Sequence, residues 1–333
     1  MNITKCIIKT AKYIGLLLLS ILVAIGLYTL YLLFLTPKYK IVRIGNNGLG
    51  NQLFNFAFAY ALEQKNNAKV VLDISPIQRK AKDNPSWLRY FGNDFKYKFK
   101  LWQNEENFLA RAIRRSVLSK HIIETSPFVY QKEALDIEDK NIFYQGYRQN
   151  YLYFDKYRQK IIDIFKELKE GFDKDAVELI KEMKEHKNSV MINARFGDYM
   201  SNQYKNAFYL CKEDYYNTAI KMFDNMDDVF FFISTNDTEM AKKVLKFNKQ
   251  NFKFIKLKTD IMELVVSRNV KHNIIGNSTF AWWVAYLNEN KSKKIIAPKY
   301  WYRNSDGSLV KSENLFPNDF DVSFVDNVKQ VAN

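Results

Sequence analysis

Apolar positions follow three different patterns along this chain, and each predicts a different kind of element. From Tyr13 to Leu35 the run YIGLLLLSILVAIGLYTLYLLFL holds no charged residue. At 1.5 Å per residue such a helix crosses the roughly 30 Å hydrocarbon layer of a bilayer. Lys5, Lys9 and Lys12 precede it, Lys38, Lys40 and Arg43 follow it, and Tyr13, Tyr28 and Tyr31 suit the interfaces. A signal peptide has a shorter apolar core and a small-residue cleavage site, which LFLTPKYK does not offer. The pattern predicts a single-pass anchor, with basic residues balanced on its two sides, so charge does not set its orientation. Pro37 then ends the helix and leaves a linker of only a few residues before the next element.

The second pattern is short apolar runs with strand character, alternating with helical periodicity. Ile41–Ile44 reads as a strand, Gly45, Gly48 and Gly50 as a glycine loop, and Leu53, Phe54, Phe56, Ala57, Ala61 and Leu62 as one side of a helix starting near Asn51. Lys69–Ile74 follows as a buried strand, and this β-loop-α-β start predicts a parallel sheet. A short strand at Asn141 runs into Gly146-Tyr147-Arg148-Gln149. Helical periodicity then extends from Tyr157 to about His186, with a break at Gly171. The second half repeats the alternation: strand Asn188–Ile192, helix Lys212–Phe223, strand Val229–Ile233, a helix from Asp260 to about Asn269, a short strand at Ile274 entering a helix through Asn277-Ser278-Thr279, and strand Lys294–Pro298. Val229–Ile233 is apolar throughout, which predicts a central parallel strand buried on both faces. The expected organisation is an anchor over 1–37, an N-terminal α/β domain over 38–170 and a C-terminal α/β domain over 171–333.

The third pattern is the absence of a period. Ser75–Asp139 mixes basic residues with Trp87, Tyr90, Phe91, Phe95, Tyr97, Phe99 and Trp102. These aromatics suit either an acceptor groove on which sugars stack or an ordinary core.

Composition narrows the class. A chain of 333 residues with 16% aromatics has the material for a large core, which excludes a disordered protein. The net charge of +15 favours anionic partners such as lipid or a phosphate-bearing substrate. The basic residues are dispersed, with no arginine-rich helix or nucleic-acid motif, so nucleic acid is not an expected partner. Two cysteines, Cys6 and Cys211, make no disulfide framework. His121, His186 and His272 occur without any metal-binding spacing, so no metal is expected.

Candidate chemistry gathers where strands end. Glycines at 48 and 50 let backbone approach a ligand, the helix start beyond them favours an anion, and Asn51 and Gln52 add amides. The alternative is a turn with glycines used only for close packing. Asn193-Ala194-Arg195-Phe196-Gly197-Asp198-Tyr199 follows a strand, where open α/β sheets bind ligands. Arg195 offers a planar fork of donors suited to pyrophosphate, and Asp198 orients it or a turn, or serves as a base; the alternative is a structural Arg–Asp ion pair. Asp237, after the apolar strand, either binds ligand or caps the next helix. Asn277, Ser278 and Thr279 are cap residues at a helix start that favours anions.

The motifs themselves resemble those of the α-1,2-fucosyltransferases, the family 11 glycosyltransferases. Four blocks carry the resemblance in order: GLGNQLFNFAFAYAL from Gly48, the G-Y-x-Q unit at Gly146–Gln149 with Tyr153-Phe154, the segment from Asn193 to Tyr199, and I-I-G-N-S-T-F-A-W-W from Ile274, with KIIAP and Trp301 beyond. The resemblance implies a GT-B-like fold of two Rossmann-like domains facing a cleft. It implies GDP-L-fucose as donor, a terminal β-galactoside as acceptor, an α-1,2 linkage formed with inversion, and no metal. On that reading Gly48, Gly50, Asn51, Gln52, Asn193, Arg195, Asp237, Asn277, Ser278 and Thr279 bind the donor, Asp237 by way of guanine, and Arg195 and Asp198 are the catalytic candidates. Asn193 stands where the family has His, and Phe196 where it has a second Arg, so an acid–base role borrowed from that His does not transfer. Asn236 replaces the first Asp of the family's pair before Asp237. The competing class is a membrane-anchored basic binding protein without catalysis; a fucosyltransferase of other linkage or acceptor is the third option. Asn277-Ser278-Thr279 and Asn236-Asp237-Thr238 are glycosylation sequons at the expected donor site. That favours a cytosol-facing domain on a bacterial inner membrane, making lipopolysaccharide or polysaccharide, over a Golgi enzyme with a lumenal domain.

Overall fold

The computed structural model describes residues 3–45, 48–66, 68–80, 99–135, 140–166, 174–196, 211–247, 251–304 and 306–328. Helix α1, Ile3–Phe34, contains the apolar run except for Leu35; Ile7–Phe34 is long and apolar enough to cross a membrane, and its side chains are exposed along most of its length.

The first sheet collects β1 (Lys40–Arg43), β2 (Val70–Asp73), β3 (Lys100–Leu101), β4 (Ser119–Ile123) and β5 (Asn141–Gln145) in the order β3-β2-β1-β5-β4. Every pairing is parallel, with Ile41 opposite Val71 on one side and Phe143 on the other. Helix α2 (Leu49–Asn66) connects β1 to β2 and begins two residues earlier than its periodicity predicts, so Gly50 lies in its first turn. Short helices α3 (Ser75–Lys80), α4 (Trp102–Glu105) and α5 (Phe108–Ile113), with a π turn at Arg114–Leu118, occupy the described part of the aperiodic region. Of its aromatics, Phe99 and Trp102 are buried core; Trp87, Tyr90, Phe91, Phe95 and Tyr97 lie outside the described residues.

The chain then passes through α6 (Arg158–Lys166) and α7 (Lys174–Glu185); Gly171 lies outside the described residues. The second sheet takes β6 (Asn188–Ala194), β7 (Val229–Thr235), β8 (Asn251–Phe254), β9 (His272–Ile275), β10 (Lys294–Pro298) and β13 (Asp321–Val325) in the order β13-β10-β9-β6-β7-β8, all parallel. Its helices are α8 (Glu213–Lys221), α9 (Thr238–Val244), α10 (Asp260–Ser267) and α11 (Thr279–Leu287), and β11 (Tyr300–Arg303) with β12 (Leu309–Lys311) forms an antiparallel hairpin. The apolar strand β7 is interior but not central: it lies one place from the edge, between β6 and β8, and Val229 and Phe230 are only half-buried. Its apolar run reports neighbours on both sides, not its rank in the sheet.

The two sheets share a core. Phe54 of α2 meets Trp282 and Trp283 of α11 at 4.7 and 5.1 Å between ring centroids, and Phe154 stacks on Trp283 at 5.5 Å. The Trp283 indole donates to the Gly50 carbonyl at 3.0 Å. The crossing leaves no room at Gly50, where a Cβ would lie 2.4 Å from the Phe280 nitrogen and 2.6 Å from Thr279 Oγ1. The starts of α2 and α11 are thereby brought together.

Candidate functional site

The C-terminal edge of the second sheet is built by register. Asn193 lies opposite Ser234 on one side and Ile275 on the other, and the Gly276 N–H donates to the Asn193 carbonyl at 3.1 Å. Strands β6, β7 and β9 therefore end at one level, just before the N-terminus of α11. The Asn193 side chain is 5% exposed, and neither its amide oxygen nor its amide nitrogen has a hydrogen-bond partner among the described residues. A buried amide left this way costs about 1–3 kcal/mol, which a ligand offering one acceptor and one donor recovers. Arg195 is half-buried immediately beyond the end of β6. Gly197, Asp198 and Tyr199 lie outside the described residues.

Phe196 is buried against Tyr216 at 5.7 Å between centroids, and its N–H donates to Asn236 Oδ1 at 2.9 Å. Both departures from the family pattern at these positions thus have a local use, because an apolar ring fills the core and Asn236 ties the two strand ends together. Asp237 caps α9, its Oδ1 accepting from the Met240 N–H at 3.0 Å, which is the capping alternative in geometric form.

The residues of the Asn277-Ser278-Thr279 segment separate. Asn277 is buried and faces inward: its amide donates to the Trp301 carbonyl at 3.3 Å and its oxygen accepts from the Cys211 thiol at 3.7 Å. Burial pushes that thiol up to about 12. Asn277 fixes the turn. Ser278 is the N-cap of α11, but its hydroxyl makes no capping bond to the helix. Thr279 lies half-buried beside Gly50.

On the first-sheet side a Cβ at Gly48 would have nothing within 4 Å among the described residues, in contrast to the crowded Gly50. Gln52 is buried, and Asn51 Oδ1 accepts from Gln149 Nε2 at 2.8 Å. Gln149 and Thr279 line one small recess together with Phe128 and Trp301, so it draws on elements of both halves.

Two further residues belong here. Gln149 is placed by a turn in which Gly146 has φ +139° and Arg148 φ 53°. The Glu124 carboxylate accepts from the Tyr147 and Arg148 N–H groups at 2.5 and 2.8 Å, and a Cβ on Gly146 would collide with it. Burial holds the Glu124 carboxyl above its ordinary value against these bonds and the Arg148 charge. Glu263, in the first turns of α10, accepts a hydrogen bond from the Ser234 hydroxyl at the end of β7. Burial raises its pKa, opposed by that bond. Sequence reasoning passed over it, because its link to the site runs through Ser234, which register alone makes a neighbour of Asn193. Among the described residues no group of three or more His, Cys, Asp or Glu is arranged to hold a metal.

Two all-parallel sheets, with buried amides and helix starts gathered at strand C-termini, make a GT-B-like α/β fold. The chain belongs to glycosyl transferase family 11, whose family profile matches residues 41–318. It is 29% identical over 270 residues to the alpha-1,2-colitosyltransferase of Escherichia coli, covering 78% of this chain and 91% of that protein. It is 23% identical over 300 residues to the O-antigen biosynthesis glycosyltransferase WbnK of Escherichia coli, covering 81% and 97%. Among solved structures, the fucosyltransferase NodZ from Bradyrhizobium aligns over 75% of this chain and 92% of its own at 12% identity, with a TM-score of 0.47.

Proposed function

We propose that this glycosyltransferase transfers L-fucose from GDP-β-L-fucose to a terminal β-galactoside, forming an α-1,2 linkage with inversion, in bacterial surface-glycan synthesis. The observation that carries the reading is Asn193, a buried amide with both ends unpartnered among the described residues, at the edge where three strands end before α11. A nucleotide-sugar donor supplies what such a group lacks. In this reading Arg195, the Ser278 hydroxyl, Thr279 and the free N–H groups at the start of α11 face the pyrophosphate and stabilise the charge that develops on the leaving GDP. Gly48, Asn51 and Gln52 line the fucose side, with Gln149 holding Asn51. Gly50 acts by bringing α2 to α11, and Asn277 by fixing the turn before Ser278. Asp237 reaches guanine only by giving up part of its cap. Asp198 is the candidate base, the transfer needs no metal ion, and α1 anchors the catalytic domain to the cytosolic face of an inner membrane.

A second donor is favoured by one observation, the similarity to a colitosyltransferase. Colitose is L-fucose without its 3-hydroxyl, so the same phosphate site serves either sugar. The test uses the full chain in detergent with EDTA present. GDP-fucose and GDP-colitose are offered with a panel of β-galactosides, and GDP release and product linkage are followed. Turnover of GDP-fucose to an α-1,2 product is expected. Turnover of GDP-colitose alone replaces the donor and keeps the site. Absence of GDP binding overturns the reading and leaves the membrane-anchored binding protein.

A further inference from the structure

We infer that α5 and the π turn after it form a second membrane contact, lying in the interfacial layer of an anionic bilayer beside the emerging anchor helix. The inference rests on the reading of α1 as a span. Starting from Lys12 at one boundary, a hydrocarbon layer of roughly 30 Å takes about 20 residues of helix and ends near Leu32. At that level the globular part meets α1. Leu32 packs with Ala110 and Ile113, Tyr28 lies against the same cluster, and Asn107 Nδ2 donates to the Tyr28 hydroxyl at 3.1 Å.

The junction is tied. Arg114 is fully buried, and its guanidinium donates to Glu106 at 2.8 Å, Thr36 Oγ1 at 2.8 Å, Asn141 Oδ1 at 3.0 Å and the Pro37 carbonyl at 3.3 Å, with Tyr39 beneath it at 5.1 Å. One cation thus joins the end of α1, the linker, α4's C-cap and β5, so α5 keeps its depth relative to the span. The face it presents there is apolar: Phe108 is 78% exposed, Val117 68% and Leu109 47%. Arg115 and Lys120 lie on the same stretch; Arg111 instead donates to the Gln103 and Glu106 carbonyls at 3.0 and 2.6 Å, Glu106 is spent on Arg114 and Glu105 pairs with Lys100. An apolar face continuous with a span and flanked by basic residues fits the headgroup–acyl boundary of anionic lipid.

The test places an environment-sensitive fluorophore at Phe108→Cys, Val117→Cys, Leu18→Cys or Val177→Cys, each in the full chain with Cys6→Ser. Cys211 is buried and escapes labelling. Chains are reconstituted singly in nanodiscs of anionic lipid, with and without lipids carrying a shallow spin-label quencher. Quenching of about twofold or more is expected at Leu18, Phe108 and Val117, with none at Val177. Quenching at Leu18 alone overturns the second contact and leaves the anchor. No quenching at Leu18 overturns the anchor reading itself. Emission at Phe108 that shifts to shorter wavelength only when two copies share a disc overturns the lipid contact in favour of a second copy of this chain.

Discussion

Asn193 and Arg195 lie two positions apart and make opposite demands. Arg195 is half-buried at the strand's end, whereas the Asn193 side-chain amide is buried with no partner among the described residues. A residue retained for stability alone would not be left in that state. Asn193→Ala therefore removes a buried amide that has no partner among the described residues and is expected to leave the melting temperature unchanged or higher. It weakens GDP-sugar binding by about tenfold, the worth of one good hydrogen bond. Thermal unfolding without ligand and titration with GDP check the two halves. A drop in melting temperature with GDP affinity intact sinks the assignment. The motif made Asn193 and Arg195 legible in the sequence. Glu263 was not, because its bond to Ser234 joins residues far apart in the chain, and which strand ends are neighbours depends on register. The capping role of Asp237 was legible from its place before a helix, and the inward turn of Asn277 was not, since Trp301 and Cys211 reach it only in three dimensions.

At the scale of elements, Gly50 shows what the glycine loop is for. Its carbonyl holds Trp283, and its missing side chain admits the backbone of Thr279 and Phe280. Gly50→Ala is expected to cost about 1–3 kcal/mol in urea unfolding, because the neighbouring atoms are backbone and do not rotate away. Gly48→Ala, with nothing within 4 Å of its Cβ among the described residues, is expected to cost well under that. The far end of α11 is held by Lys293, which donates to the Ala285 and Asn288 carbonyls at 2.9 and 2.6 Å and lies over the Phe320 ring. Burial, helped by the nearby Arg158 charge, brings its pKa down to about 7. In the unfolded chain a lysine keeps its proton to about pH 10. Between those values the unfolded state binds more protons, so this group's contribution to stability rises with pH across that window. Comparing wild type with Lys293→Met by urea midpoint from pH 7 to about 9 should show wild type gaining on the variant as pH rises. A constant difference refutes the shifted lysine. Strands buried on both faces, such as β2, β6, β7 and β10, were readable as continuous apolar runs. Edge strands β8 and β13 were not, since none of their residues is fully buried. The π turn escaped because its buried residue is an arginine, which breaks the apolar pattern that marks a core.

On the scale of the whole molecule, two sheets that the sequence presents as separate α/β units are joined by a continuous apolar core. Val42, Phe54 and Tyr144 from the first half share one buried cluster with Met191, Trp283 and Ile295 from the second. Domains that open and close independently meet through more polar surfaces than this. The α2–α11 crossing sits within that core, so the two helix starts that face the proposed donor cannot separate without exposing Trp282, Trp283, Phe54 and Phe154. The chain should therefore unfold as one cooperative unit in calorimetry, with the calorimetric and van't Hoff enthalpies equal. Trp283→Ala, which removes both the ring contacts and the bond to Gly50, should lower that single transition by about 3–5 kcal/mol of stability. It should not split it, because the remaining shared contacts still couple the sheets. If wild type instead melts in two steps, and Trp283→Ala shifts only one of them, the crossing is a hinge. The donor site would then have to be assembled by closure, with α2 and α11 meeting only when GDP-sugar is bound.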